Sequence, residues 1–264
     1  MGDEAHTLKF GMTYDMVAVR TACGQLLTLS SHRSHNQIPP HKHANDYVCL
    51  VVAGGFAEQE GKRLRERLSG SVFTHHAGET HYDRFGSSGA VCVNLHSPEG
   101  ERGAEIESMC SARVRIAAER LAFELAASSH EELVLASLAA EIMNNLGPNR
   151  FPKGCHPDRG RWIDQVVEAI SDEPFRRWSL DEISKLAGHH PVHVAQSFRA
   201  RAGISLGAFQ RLRRLTRLSL ALRQSKETLA NLAAEYGYCD QSHMTSEFRA
   251  AFGISPGRYR RTFH

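Results

Sequence analysis

Eight of the 16 histidines in this 264-residue chain lie between His32 and His96, and two of them, His41 and His43, are spaced by a single residue. On a strand that spacing sends both imidazoles to the same face, which is what a metal ion requires of two ligands from one strand. The same rings would serve equally as hydrogen-bonding walls of a metal-free pocket for an organic molecule, or as residues that flank a strand and meet solvent.

A different chemistry is repeated near the other end. Phe198-Arg199-Ala200-Arg201-Ala202-Gly203-Ile204-Ser205 returns as Phe248-Arg249-Ala250-Ala251-Phe252-Gly253-Ile254-Ser255. Between Glu182 and Glu227 there is no carboxylate, while nine Lys and Arg side chains accumulate. A polyanion suits such a run, with a solvated cationic face as the plainer alternative.

The elements that must position these basic and polar residues are helices. Ser179 and Glu182 form a capping-box pattern ahead of a helix over 180–187, Gly188-His189-His190 makes a turn, and Pro191 opens a helix to 202. Val194 and Phe198 face inward there, leaving Val192, His193, Ala195, Gln196 and Arg199 on the other side. The plan returns as a helix over 228–236, a turn at Gly237-Tyr238-Cys239, Asp240 as N-cap and a helix to 251. Met244 and Phe248 are its inward residues, and Gln241, Ser242, His243, Thr245 and Ser246 remain outside. Two short helices joined by such a turn can place the second in a major groove. A lead helix over 162–170 and an arginine-bearing helical connector over 205–225 complete this part.

The histidines need strands. Short apolar runs at 16–19, 26–29, 46–53, 72–74 and 90–95, punctuated by Gly54-Gly55, Gly61, Gly70, Gly78, Gly86 and Gly89, predict a small barrel or double-sheet roll. From 103 to 146 the apolar period becomes helical, with Ser129 and Glu132 as another capping box, so two helices should pack beside the sheet. Core packing is the main use of their apolar residues, and a dimer interface a further one. The Gly- and Pro-rich stretch from Gly147 to Pro157 separates the two parts.

Bulk composition agrees with a packed protein: 41% of residues are apolar and 23% charged. The formal charge is +3, but from Trp162 onward there are 15 Lys/Arg against 10 Asp/Glu, and before it 17 against 19. The six cysteines show no C-x-x-C spacing, the N-terminus lacks a signal-peptide pattern, and no apolar run is long enough to cross a bilayer. A reducing cytoplasm, free thiols and no membrane role are expected.

The histidine-bearing part resembles a cupin domain, whose second motif is matched by Gly70, Gly78 and His81, with His76 in place of the motif's proline. The resemblance implies His41, His43 and His81 as ligands of a divalent metal, Zn²⁺ or Fe²⁺. His35 stands where the first motif has Gly, and no Glu follows His43 at the usual interval, so Asp46 or His76 would complete the coordination. The C-terminal part, from Trp162 to Arg261, resembles the AraC-type (arabinose-operon regulator) family. Gly237, Asp240, Gln241, Ser242, Phe248, Phe252, Gly253, Pro256, Tyr259 and Arg260 all fall on that family's pattern. The resemblance implies a base-reading face of Val192, Ala195, Gln196, Gln241, Ser242 and Ser246. Arg199, Arg201, Arg211 and Arg249 are suited to phosphate contacts.

The expectation is therefore an α+β two-domain chain. A cupin-like sensor barrel would span 1–100, a helical packing or dimerisation segment 101–147, a linker 148–161, and an all-α tandem helix-turn-helix domain 162–264. The expected function is sequence-specific transcriptional regulation without enzymatic activity. Expected partners are double-stranded promoter DNA, RNA polymerase, a small-molecule effector or metal, and a second copy of the chain. No cofactor other than such a metal is implied. The alternative is a cupin metalloenzyme fused to a DNA-binding module.

Overall fold

The computed structural model describes residues 6–9, 13–127, 131–146, 161–173, 175–202 and 204–261. They fall into two compact units, one rich in strands and one helical.

The first unit contains β1 (His6–Leu8), β2 (Met16–Ala22), β3 (Gln25–His32), β4 (Gln37–His43), β5 (Tyr47–Glu60), β6 (Arg63–Leu68), β7 (Ser71–His75), β8 (His81–His96) and β9 (Glu107–Met109). Two long antiparallel strands, β5 and β8, pair with each other and organise the rest. The first part of β8 pairs with β4, which also holds β1, and the last part of β5 pairs with β6. The last part of β8 pairs with β3, which holds β2, and the first part of β5 pairs with β7, which holds β9. The two halves close on a shared core of Ile38, Tyr47, Cys49, Val51, Phe56, Phe73, Phe85, Ala90 and Cys92.

Several glycines expected to mark turns instead lie inside these long strands. Gly54 has φ +67, and a Cβ there would sit 2.0 Å from the Gly89 carbonyl oxygen; a Cβ on Gly89 would meet the His32 carbonyl oxygen at 2.2 Å. The ladder shifts register at this point, between Gly54 and Phe56. Glycine here permits close backbone approach and a change of strand direction, without ending the strand. β6, with the sequence Arg63-Leu64-Arg65-Glu66-Arg67-Leu68, carries too little apolar character to be predicted, because it pairs on one side only.

After β9 come α1 (Ala112–Ala126) and α2 (Glu132–Asn145), so the region expected to be wholly helical from residue 103 opens with a strand. Ser129 lies outside the described residues. Glu131 occupies the N-cap of α2 without a side-chain cap bond, and the Glu132 carboxylate accepts from the Cys23 backbone N–H at 2.8 Å. That contact holds α2 against the β2–β3 turn.

The second unit contains α3 (Arg161–Asp172), α4 (Leu180–Ala187), α5 (Pro191–Ala202), α6 (Leu206–Gln224), α7 (Leu229–Glu235), α8 (Gln241–Phe252) and α9 (Pro256–Arg261). Local chemistry sets most boundaries. The Ser179–Glu182 capping box is complete, Gly188 closes α4 in the left-handed region, and Ser205, Thr228 and Asp240 cap α6, α7 and α8. Val194, Phe198, Phe209, Leu218, Met244 and Phe248 are fully buried and form the centre of this unit.

Candidate metal centre and nucleic-acid interface

Strands β4 and β8 lie side by side with His41 opposite His81. One potential ligand atom from each of His41, His43 and His81 lies within 4.8 Å of the others, and all three side chains are buried. The His41 and His81 ring centroids are 4.2 Å apart, and those of His43 and His81 5.2 Å. His41 Nδ1–H donates to the Pro39 carbonyl at 3.0 Å, which leaves Nε2 with its lone pair. The Tyr47 hydroxyl lies 3.1 Å from His43 Nε2, and burial raises the phenol well above its usual range, so it stays neutral and its oxygen can accept from His43 Nε2–H, which leaves Nδ1 with the lone pair a metal needs. Burial also holds His81 well below the usual histidine range, which keeps the ring in its neutral, ligating form. This donor set fits a divalent cation of the Zn²⁺ or Fe²⁺ kind.

Asp46 and His76, expected to complete that set, do not join it. The Asp46 carboxylate accepts from His76 Nδ1 at 2.7 Å, from the Ala77 N–H at 2.7 Å and from the Gly103 N–H at 2.9 Å. Its oxygens are committed to fixing the segment after β7. Four other residues surround the three histidines without having been singled out. The His75 ring stacks 4.2 Å from that of His81. Glu58 accepts from Arg67 Nε at 3.3 Å and from Nη2 at 3.2 Å, both side chains being buried. Asp83 faces Glu58 across the β5–β8 ladder, and its Oδ2 is 4.0 Å from His81 Nε2. Burial, then the neighbouring Glu58 charge, push the Asp83 carboxyl well above its usual range. The available signal was His81-x-Asp83, a same-face spacing like that of His41-x-His43.

In the helical unit, α5 and α8 repeat one pattern of exposure. Val192, Gln196 and Arg199 are exposed with Ala195 half-buried, and in register with them Ser242, Ser246 and Arg249 are exposed with Thr245 half-buried. Gln241 is exposed at the head of α8, beside the Asp240 cap that accepts from the His243 N–H at 2.7 Å. His193 is exposed but packs edgewise on His189 and near Trp162, and His243 meets Tyr238 and Arg177. Arg211 is exposed on α6, whereas Arg213 and Arg217 are buried, Arg213 donating to the Ile170 carbonyl. Part of the basic run is therefore structural. The Arg201 side chain lies outside the described part of α5. Arg177, not anticipated, is exposed and donates to the Gly237 carbonyl at 3.1 Å, next to the start of α8.

A helix-turn-helix domain family matches residues 183–262, from within α4 to just past the end of α9. The chain is 31% identical over 100 residues to the multiple antibiotic resistance protein MarA of Escherichia coli (strain K12), a match spanning 38% of this chain and 79% of that protein. An AraC-type DNA-binding-domain regulator from Chromobacterium violaceum is 19% identical, covering 40% of this chain and 96% of its own, with a TM-score of 0.37. ToxT from Vibrio cholerae aligns over 90% of this chain and 98% of its own at 8% identity and a TM-score of 0.36. Among the described residues no helix is long and apolar enough to cross a membrane.

Proposed function

Because the chain belongs to the AraC-type family of helix-turn-helix transcription regulators, we propose that α5 and α8 are two recognition helices reading different sequences on one duplex, under the control of the strand-rich unit. The repeated exposure pattern of the two helices supports this reading above all. Gln196 and Gln241 have the amide geometry to pair with adenine, and Val192 can cover a thymine methyl group. Arg199, Arg211 and Arg249 contact phosphates and so set affinity, not sequence. The two helices differ most where they are exposed, Val192 against Ser242 and Gln196 against Ser246, so the two half-sites differ.

The strand-rich unit is a cupin-like sensor in this reading. A divalent ion held by His41, His43 and His81 would tie β4 to β8 and supply a charged centre able to take an effector's donor atom. Occupancy then alters promoter affinity, with a second copy of the chain and RNA polymerase as protein partners in the cytoplasm. The test is selection of bound duplexes from a random pool, using the full chain with and without added Zn²⁺. Two unlike half-sites about one helical turn apart are expected. Gln196→Ala should relax one base position at a cost of about 1–3 kcal/mol, while Arg211→Ala should weaken all duplexes alike and lower the salt slope by about 1. Recovery of no common sequence would refute the reader, and identical affinity with and without metal would refute metal control.

A further inference from the structure

We propose that Asp83 is the fourth ligand of the metal site, giving three imidazoles and one carboxylate. The proposal rests on the metal reading of His41, His43 and His81. His81 and Asp83 alternate onto one face of β8, and Asp83 Oδ2 lies 4.0 Å from His81 Nε2; the three imidazole donors group within 4.8 Å of one another without it, so the carboxylate would close on the ion as the ion binds. Asp83 is only 6% exposed, and its Oδ1 has no hydrogen-bond partner.

The other carboxylates at hand are already satisfied. Glu58 is held by both Nε and Nη2 of Arg67, and Asp46 is held by His76, Ala77 and Gly103. Among the described residues, Asp83 alone presents an orphaned buried carboxylate oxygen beside this histidine cluster. A buried carboxylate without a donor is costly unless a cation meets it. A cation seated between Asp83 and the three rings satisfies that oxygen and retains part of its own charge. Adding a hard oxygen to three nitrogens favours Zn²⁺, Co²⁺ or Fe²⁺ over a soft monovalent ion.

Full-length protein, stripped with chelator, is titrated with Co²⁺ and with Zn²⁺ while circular dichroism follows folding. Wild type should take one equivalent, and Asp83→Asn should lose at least about 10-fold in affinity, the lower end of what partners outside the coordination sphere cost. Its cobalt visible bands should also move. A carboxylate that only steadied His81 would change affinity and leave those bands in place, which overturns the assignment. Asp83→Cys gives a readout in the other direction: cobalt loading should produce a thiolate-to-cobalt charge-transfer band absent from wild type. Cobalt bound by that variant without the band overturns the assignment, even if Asp83→Asn does not fold. Failure of wild type to bind either ion overturns the metal reading and this ligand together, whereas tight wild-type binding unaffected by Asp83→Asn overturns this ligand alone.

Discussion

Acid should destabilise the strand-rich unit through His96, and the size of the effect follows from its surroundings. His96 is 1% exposed at the end of β8. Its Nδ1 accepts from Asn45 Nδ2 at 3.1 Å, and its Nε2 faces Thr28 Oγ1 at 3.0 Å. The same Asn45 amide nitrogen donates to the Asp46 carbonyl at 2.9 Å, so the amide cannot turn to accept from a protonated Nδ1 without giving up that bond. Burial lowers the histidine from 6.5 to about 4. Between those values the unfolded chain binds the proton and the folded chain resists it. The stability tied to His96 is thus complete above about pH 6.5, falls as the pH drops, and levels off below about pH 4. At about 1.4 kcal/mol per pH unit the loss is about 3 kcal/mol. His75 and His81, also lowered by burial, act in the same direction, so a variant is needed to isolate this residue. Urea unfolding of chelator-treated wild type and His96→Gln at about pH 7 and about pH 4 measures it, and the variant should lose about 3 kcal/mol less between the two. Equal losses in the two proteins would refute the reasoning.

Arg67→Ala should destabilise by about 3–5 kcal/mol in urea unfolding, because it leaves the buried Glu58 carboxylate without its cation. Gly54→Ala forces a Cβ onto the Gly89 carbonyl oxygen at positive φ, so thermal melting should show a lower Tm or no cooperative transition. Asp240→Ala removes the side-chain acceptor for the His243 N–H and should cost about 1 kcal/mol, with a larger effect on DNA affinity than on the fold of the strand-rich unit.

What was legible in the sequence was local. Ser179 with Glu182, Pro191 and Asp240 act within a few residues of themselves, so the starts of α4, α5 and α8 are where their chemistry placed them. His41-x-His43 predicted a shared face because strand alternation is local too. Non-local facts were hidden. Arg213 and Arg217 look like any other arginines in a basic run, and only the packing of α6 shows that they point inward. Gly54 and Gly89 look like turn residues, and only the crossing of β5, β8 and the end of β3 explains why each must lack a Cβ.

The sequence alone determined that two similar helix pairs exist and that histidines gather on strands, since period, caps and spacing are properties of neighbouring residues. Tertiary structure decided which carboxylate stands beside those histidines. Asp46, close in sequence to His43, is drawn away by His76 and two backbone amides, while Asp83, forty residues from His43, is carried with its strand neighbour His81 to the place where His81 pairs with His41, and keeps an oxygen unsatisfied. Hydrogen-bond satisfaction is settled by the whole set of donors that the fold brings together, and that set cannot be listed before the strands are paired.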